Sequence, residues 1–211
     1  MTNQLIAWYK KHKRDLPWRK TSDPYKIWVS EIILQQTQIK TGIKYYMKFI
    51  DKFPDIDSLS MADELEVLHI WEGLGYYNRA LHMLNAAKTI KNNFSGIFPS
   101  SYNELIKLKG VGTYTASAIS SICQNEKRAV VDGNVYRVLS RFCNIPTPIN
   151  TNDGKKVFQK IANTLIHDSS PGLYNQAIMD FGSMHCKKNN PKCNTCPLKI
   201  DCKALKLNLI N

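Results

Sequence analysis

Apolar residues recur along the chain at three- and four-residue intervals, the period of a helix face, and no segment alternates as a half-buried strand does. The start of the chain places Leu5, Trp8, Tyr9 and His12 at i, i+3, i+4 and i+7, an amphipathic helix and not a signal peptide. The stretch KTGIKYYMKFIDKF puts Ile43, Tyr46, Met47, Ile50 and Phe53 on one face, and KKVFQKIANTLIH does the same with Val157, Phe158, Ile161, Ala162, Leu165 and Ile166. Start signals agree: Asp23-Pro24 opens one helix, and Ser101 with Glu104 has the spacing of a capping box before another. The pattern predicts an all-α protein of about ten short helices, with the prolyl segment 144–153, NIPTPINTND, as a subdomain boundary.

Glycine pairs punctuate the helices twice. WEGLGYYNRA carries Gly73 and Gly75, and LKGVGTYTAS carries Gly110 and Gly112. A dinucleotide fingerprint would need a strand before the second pair, a third glycine and a later acid. The preceding YNELIKLK is helical in pattern, so the turn joins two helices. Such a hairpin either packs the helices and binds nothing, or offers bare N–H groups at the second helix's start to an anion. Charge bears on the choice. With 29 Lys and Arg against 17 Asp and Glu, the net charge is +12, which points to a polyanionic partner whose phosphates would be gripped without reading sequence. No apolar run approaches the roughly 20 residues that span a bilayer, so no membrane partner and a cytoplasmic, DNA-associated location are expected.

Two carboxylates stand in unlike surroundings. Glu31 interrupts the nearly all-apolar YKIWVSEIILQQTQ; it is either partly buried, with desolvation raising its pKa toward that of a general acid, or turned to solvent and paired with a lysine. Asp132 precedes the helical face Val135, Val138, Leu139 and Phe142, where an N-cap belongs. The helix dipole would also keep that carboxylate ionised. One acid pushed toward neutral and one held anionic is how a site that cleaves a glycosidic bond divides its labour.

Four of the six cysteines crowd into the last 26 residues, as Cys186, Cys193, Cys196 and Cys202. That density points to a shared metal, structural zinc or a 4Fe-4S cluster on ligand type alone. Lys187, Lys188, Lys192 and Lys199 sit in the intervening loops. Cys123 and Cys143, far apart in apolar stretches, read as buried, inert thiols.

Together these pieces resemble the catalytic region of the A/G-specific adenine DNA glycosylases of the MutY kind, in the helix-hairpin-helix DNA glycosylase superfamily that includes endonuclease III. The resemblance runs through DLPWR at 15–19, SEIILQQTQ, GLGYYNRA, GVGTYTAS, VDGNVYRVLSR, NQAIMDFG and the four cysteines. It implies two helical subdomains with the catalytic cleft between them: a six-helix barrel over 23–132 containing the hairpin, and 1–22 plus 133–211 carrying one 4Fe-4S cluster on the four cysteines. It further implies a monomer that flips a base out of double-stranded DNA containing a mismatch or lesion. Glu31 matches the catalytic acid, which protonates adenine at N7, and Asp132 the second carboxylate, which stabilises the oxocarbenium-like sugar. Tyr114 and Asn134 match residues lining the active site, and Arg14 and Trp18 match residues near the adenine pocket. Gln36, Thr37, Leu74 and Tyr76 match the elements that probe the opposite base and fill the gap. Gln176 stands where the family carries Gln or Glu.

Some positions refine the match. Lys109 replaces a common proline in the hairpin, and Tyr114 stands where bifunctional lyases carry lysine, so a monofunctional enzyme is implied. The sequence ends nine residues after Cys202, where relatives commonly continue into a Nudix-like domain that recognises 8-oxoguanine. Removal of adenine opposite 8-oxoguanine or guanine is the first expectation. Thymine or uracil removal opposite guanine is the second, and a noncatalytic iron-sulfur DNA-binding module the third.

Overall fold

The computed structural model describes residues 1–210. Twelve α-helices follow in order: α1 Thr2–His12, α2 Pro24–Ile33, α3 Ile39–Lys52, α4 Ile56–Met61, α5 Glu64–Trp71, α6 Asn78–Asn93, α7 Tyr102–Leu105, α8 Thr113–Cys123, α9 Gly133–Cys143, α10 Asn152–Leu165, α11 Pro171–Met184 and α12 Lys203–Lys206. Two 3-10 turns, Pro17–Arg19 and Cys193–Thr195, complete the set, and no strand occurs among the described residues. No helix there is long and apolar enough to cross a membrane.

The chain divides into a continuous unit, Asp15–Gln124, and a two-segment unit that joins Met1–Arg14 to the residues from Asn125 onward. The boundaries differ from the 23–132 expectation at both ends because core membership decides them. Leu16 and Trp18 pack into the core of the continuous unit, whereas Ala129 and Val131 pack with Leu5, Phe158 and Phe181 in the other. Nor does segment 144–153 separate units: Asn144 is the left-handed C-cap of α9, and Ile145 packs on the core of the two-segment unit.

In the continuous unit, α2 is the central element. Asp23 caps it by accepting from the Tyr25 backbone N–H at 2.9 Å, and Pro24 occupies the first turn, a position that needs no N–H donor. Seven of its ten residues are buried, Trp28 and Val29 completely; each such side chain contributes about 1.5–3 kcal/mol through burial. The helix packs on α3 and α8. Ser101 does not form the expected capping box, because its hydroxyl is turned to the Glu104 carboxylate and caps no backbone N–H. Capping boxes occur instead at Asp55/Ser58 and Asp63/Glu66, which start α4 and α5.

In the two-segment unit, α11 packs between α1 and α9. Gly182 permits this approach: a Cβ there would lie 2.8 Å from Asn134 Cβ and 2.9 Å from its carbonyl oxygen. The predicted faces of α1 and α10 are buried at Leu5, Trp8, Tyr9, Phe158, Ala162 and Ile166. Two expected inward residues depart from the pattern. His12 is exposed and stacks on Trp8 at 4.9 Å, and Met47 of α3 is 54% exposed. Cys123 and Cys143 are only half-buried, yet burial pushes the Cys123 thiol up to about 12 and raises Cys143 as well.

Candidate functional site

The expected site residues fall on both units. Glu31, Tyr114, Trp18, Gln36, Thr37, Leu74, Tyr76, Gly110 and Gly112 belong to the continuous unit, and Arg14, Asp132, Asn134, Gln176 and the four cysteines to the other.

Glu31 is half-exposed on a helix whose other central residues are buried. Tyr114 is likewise half-exposed, in the first turn of α8. That helix begins at Gly112, which has no side chain with which to cap it, and a helix start of this kind suits an anion. Only one of the two hairpin glycines is demanded by geometry. Gly110 has φ +79°, and a Cβ there would lie 2.7 Å from His82 Cβ, whereas Gly112 is open and extended. Trp18 is buried edge-to-face against Tyr46 at 5.2 Å, so its ring serves the core.

The loops after α2 and α5 meet in space. Gln35, Gln36, Tyr76, Tyr77, Asn78, Arg79 and His82 line a pocket of about 500 Å³. A smaller one beside it is lined by Trp28, Arg79, His82, Lys109 and Gly110 among others. The structure therefore brings Gln36, Tyr76 and the glycine hairpin together. Leu74 is half-buried against the core, and the Thr37 hydroxyl donates to Gln35 O at 3.4 Å.

In the two-segment unit Asp132 is the N-cap of α9. Its Oδ1 accepts from Val135 N–H at 2.8 Å and its Oδ2 from Asn134 Nδ2 at 2.9 Å. Asn134 in turn accepts from Arg137 Nη2 at 2.9 Å, and Arg137 also donates to the carbonyls of Gly182 and Cys186. The acid is thus held in one orientation from two sides. Arg14 is committed to Asp180: its Nε donates to Oδ1 at 2.8 Å, Nη2 and the backbone N–H add further bonds, and the carboxylate is fully buried. Gln176 accepts from Tyr9 OH at 2.8 Å. Sequence reasoning missed Arg79, Arg137 and Asp180; all three stood inside quoted motifs, but most of their partners lie far off in sequence.

Cys186, Cys193, Cys196 and Cys202 line one cavity with Arg141 and His185. All four are free thiols, and no trio of His, Cys, Asp or Glu among the described residues is arranged to hold a metal ion. Donors approach two sulfurs: Leu198 N–H to Cys196 Sγ at 3.4 Å and Arg141 Nη1 to Cys186 Sγ at 3.6 Å. Burial and the neighbouring thiols push Cys196 up to about 11 and raise Cys193.

Comparison with known proteins identifies the family and the fold. The profile of the HhH-GPD superfamily base excision DNA repair proteins matches residues 29–165. The adenine DNA glycosylase of Buchnera aphidicola subsp. Baizongia pistaciae is 46% identical over 201 residues, covering 95% of this chain but only 57% of its own length. A thermostable thymine-DNA glycosylase superposes with TM-score 0.89 at 28% identity, over 98% of this chain and 95% of that one. An endonuclease III bound to DNA shares the fold, with TM-score 0.81 at 20% identity over 100% and 95% of the two chains.

Proposed function

Because the chain belongs to the HhH-GPD superfamily of base excision DNA repair proteins, we propose that it is a monofunctional DNA glycosylase that hydrolyses adenine from mispairs with 8-oxoguanine or guanine. The observation that carries adenine over thymine is the 46% identity to an adenine DNA glycosylase, against 28% to the thymine enzyme.

Glycosidic cleavage needs a proton on the leaving base and a negative group near the developing sugar cation. The adenine is flipped from the stack. Glu31 donates a proton to N7, the C1′–N9 bond breaks with its electron pair going to adenine, and Asp132 stabilises the oxocarbenium-like sugar. Water then adds at C1′ and loses a proton, leaving an abasic site. The hydrogen bonds from Val135 and Asn134 orient Asp132 for this task. Gln36, Thr37, Leu74 and Tyr76 probe the opposite base and fill the gap, while the start of α8 holds a phosphate. A lyase step needs an amine nucleophile, and Tyr114 supplies none.

The chemistry of the donor set supports a 4Fe-4S cluster in the cysteine cavity: four half-buried thiols line that one space and N–H donors approach two of them, although no three of them stand in metal-holding geometry. Cys186, Cys193, Cys196 and Cys202 would hold it, and when bound it supplies a structural cross-link between the end of α11 and α12. The purified protein is expected to be yellow-brown with iron near four per chain, to order of magnitude, and Cys196→Ser to lose both colour and iron; stoichiometric zinc without iron contradicts the assignment.

Single-turnover excision on A:8-oxoG, A:G, T:G and U:G duplexes tests the activity. Adenine release from the first two is expected. Release from T:G or U:G alone overturns the adenine reading, and no release from any overturns the enzyme.

A further inference from the structure

Gln36 and Tyr76 share an unusual backbone state. Both are non-glycine residues in the left-handed region, with φ 57° and 49°, a conformation costly for side chains of this size. They lie on different loops, one after α2 and one before α6, and both are exposed, Tyr76 by 64%. The two loops have one side chain in common. Arg79, in the first turn of α6, donates from Nη1 to Gln35 O at 2.7 Å, to Ile32 O at 2.8 Å and to Ile33 O at 3.2 Å, and from Nη2 to Gly75 O at 3.1 Å.

Two of those acceptors are the carbonyls immediately preceding Gln36 and Tyr76. The angle φ turns a residue against the peptide before it, so a fixed preceding carbonyl opposes relaxation out of the left-handed state. The guanidinium is itself fixed, lying over the rings of Trp71 at 5.2 Å and Tyr76 at 5.6 Å. Trp71 Nε1 donates to the same Gly75 carbonyl at 3.1 Å.

We propose that Arg79 is a positioning residue that presets Gln36 and Tyr76 in their left-handed conformations before DNA arrives, and thereby sets how strongly the protein prefers mispaired over fully paired duplex. The inference rests on the reading that these two side chains probe the duplex. Loops ordered in advance lose less conformational freedom on binding, so presetting favours the duplex into which they insert. Lysine cannot replace this arginine, because a single ammonium lacks the planar fork that reaches carbonyls on two loops.

The test compares Arg79→Lys with its parent in a Glu31→Gln background, where bound DNA is not turned over. Amide hydrogen exchange of residues 35–37 and 74–77 is read in the free protein, and affinity is read for an A:8-oxoG duplex and its fully paired counterpart. Expected are exchange faster by about tenfold in both loops and a mispaired-to-paired affinity ratio lower by about tenfold, with the melting midpoint and paired-duplex affinity nearly unchanged. Unchanged exchange, or faster exchange with an unchanged ratio, overturns the proposal. So does a fall in paired-duplex affinity and melting midpoint in step with mispair affinity, the mark of a merely structural arginine. The exchange arm reads Arg79 even if the wild-type protein releases no adenine, so the two readings fail separately.

Discussion

Replacing Glu31 with glutamine is expected to slow single-turnover adenine release by about 10²–10⁴-fold, the span that a positioned general acid contributes. The amide retains the shape and hydrogen-bonding capacity of the carboxyl group but cannot deliver a proton, and Glu31 is half-exposed, so stability and duplex affinity should hardly move. Asp132→Asn is a matching probe for the second acid. Asparagine caps a helix as well as aspartate, so α9 should keep its start, and lost activity would report on the sugar cation. A Glu31→Gln rate within threefold of wild type would mean that the departing base obtains its proton elsewhere.

The largest expected loss of stability lies at Asp180. Its carboxylate is fully buried and held by the Arg14 guanidinium and backbone. Removing one partner of a buried pair leaves the other uncompensated, at a cost of about 3–5 kcal/mol. For a chain of this size Asp180→Ala should therefore lower the thermal midpoint by about 6–20 °C. The paired replacement Arg14→Met with Asp180→Leu should lose much less, because two apolar side chains strand no charge. A shift below about 2 °C for the single change, followed by circular dichroism, would show that the pair is solvated in solution.

Features determined by neighbouring residues were readable in the sequence, and features determined across the chain were not. Asp23 and Asp132 cap their helices as expected because a cap is satisfied two or three residues downstream. The signatures at Asp55/Ser58 and Asp63/Glu66 were equally local, and they start two short helices of too few turns for periodicity to register well. Ser101 shows the limit of a spacing rule, since its hydroxyl had a competing carboxylate within reach. Trp18 and Arg14 were singled out through their motif as residues near an adenine pocket, and the partners that hold them, Tyr46 and Asp180, are set by packing. Unit boundaries at 14/15 and 124/125 follow from which core each segment joins, and the prolines of 144–153 could not announce that. Arg79 lay in plain view in GLGYYNRA, but its acceptors stand 44 to 47 residues upstream as well as four.

The division into one continuous unit and one assembled from two segments has a consequence for biogenesis. Residues 15–124 emerge as an unbroken stretch and can collapse onto their own core while the ribosome is still working. Helix α1 cannot, because its buried face of Leu5, Trp8 and Tyr9 packs on α11, which ends at Met184. At about 5–20 residues per second, that face waits on the order of ten to thirty seconds for its partner. During this interval the apolar face of amphipathic α1 stays uncovered beside a continuous unit that is already able to fold, a surface that a holdase chaperone can shield when translation stalls.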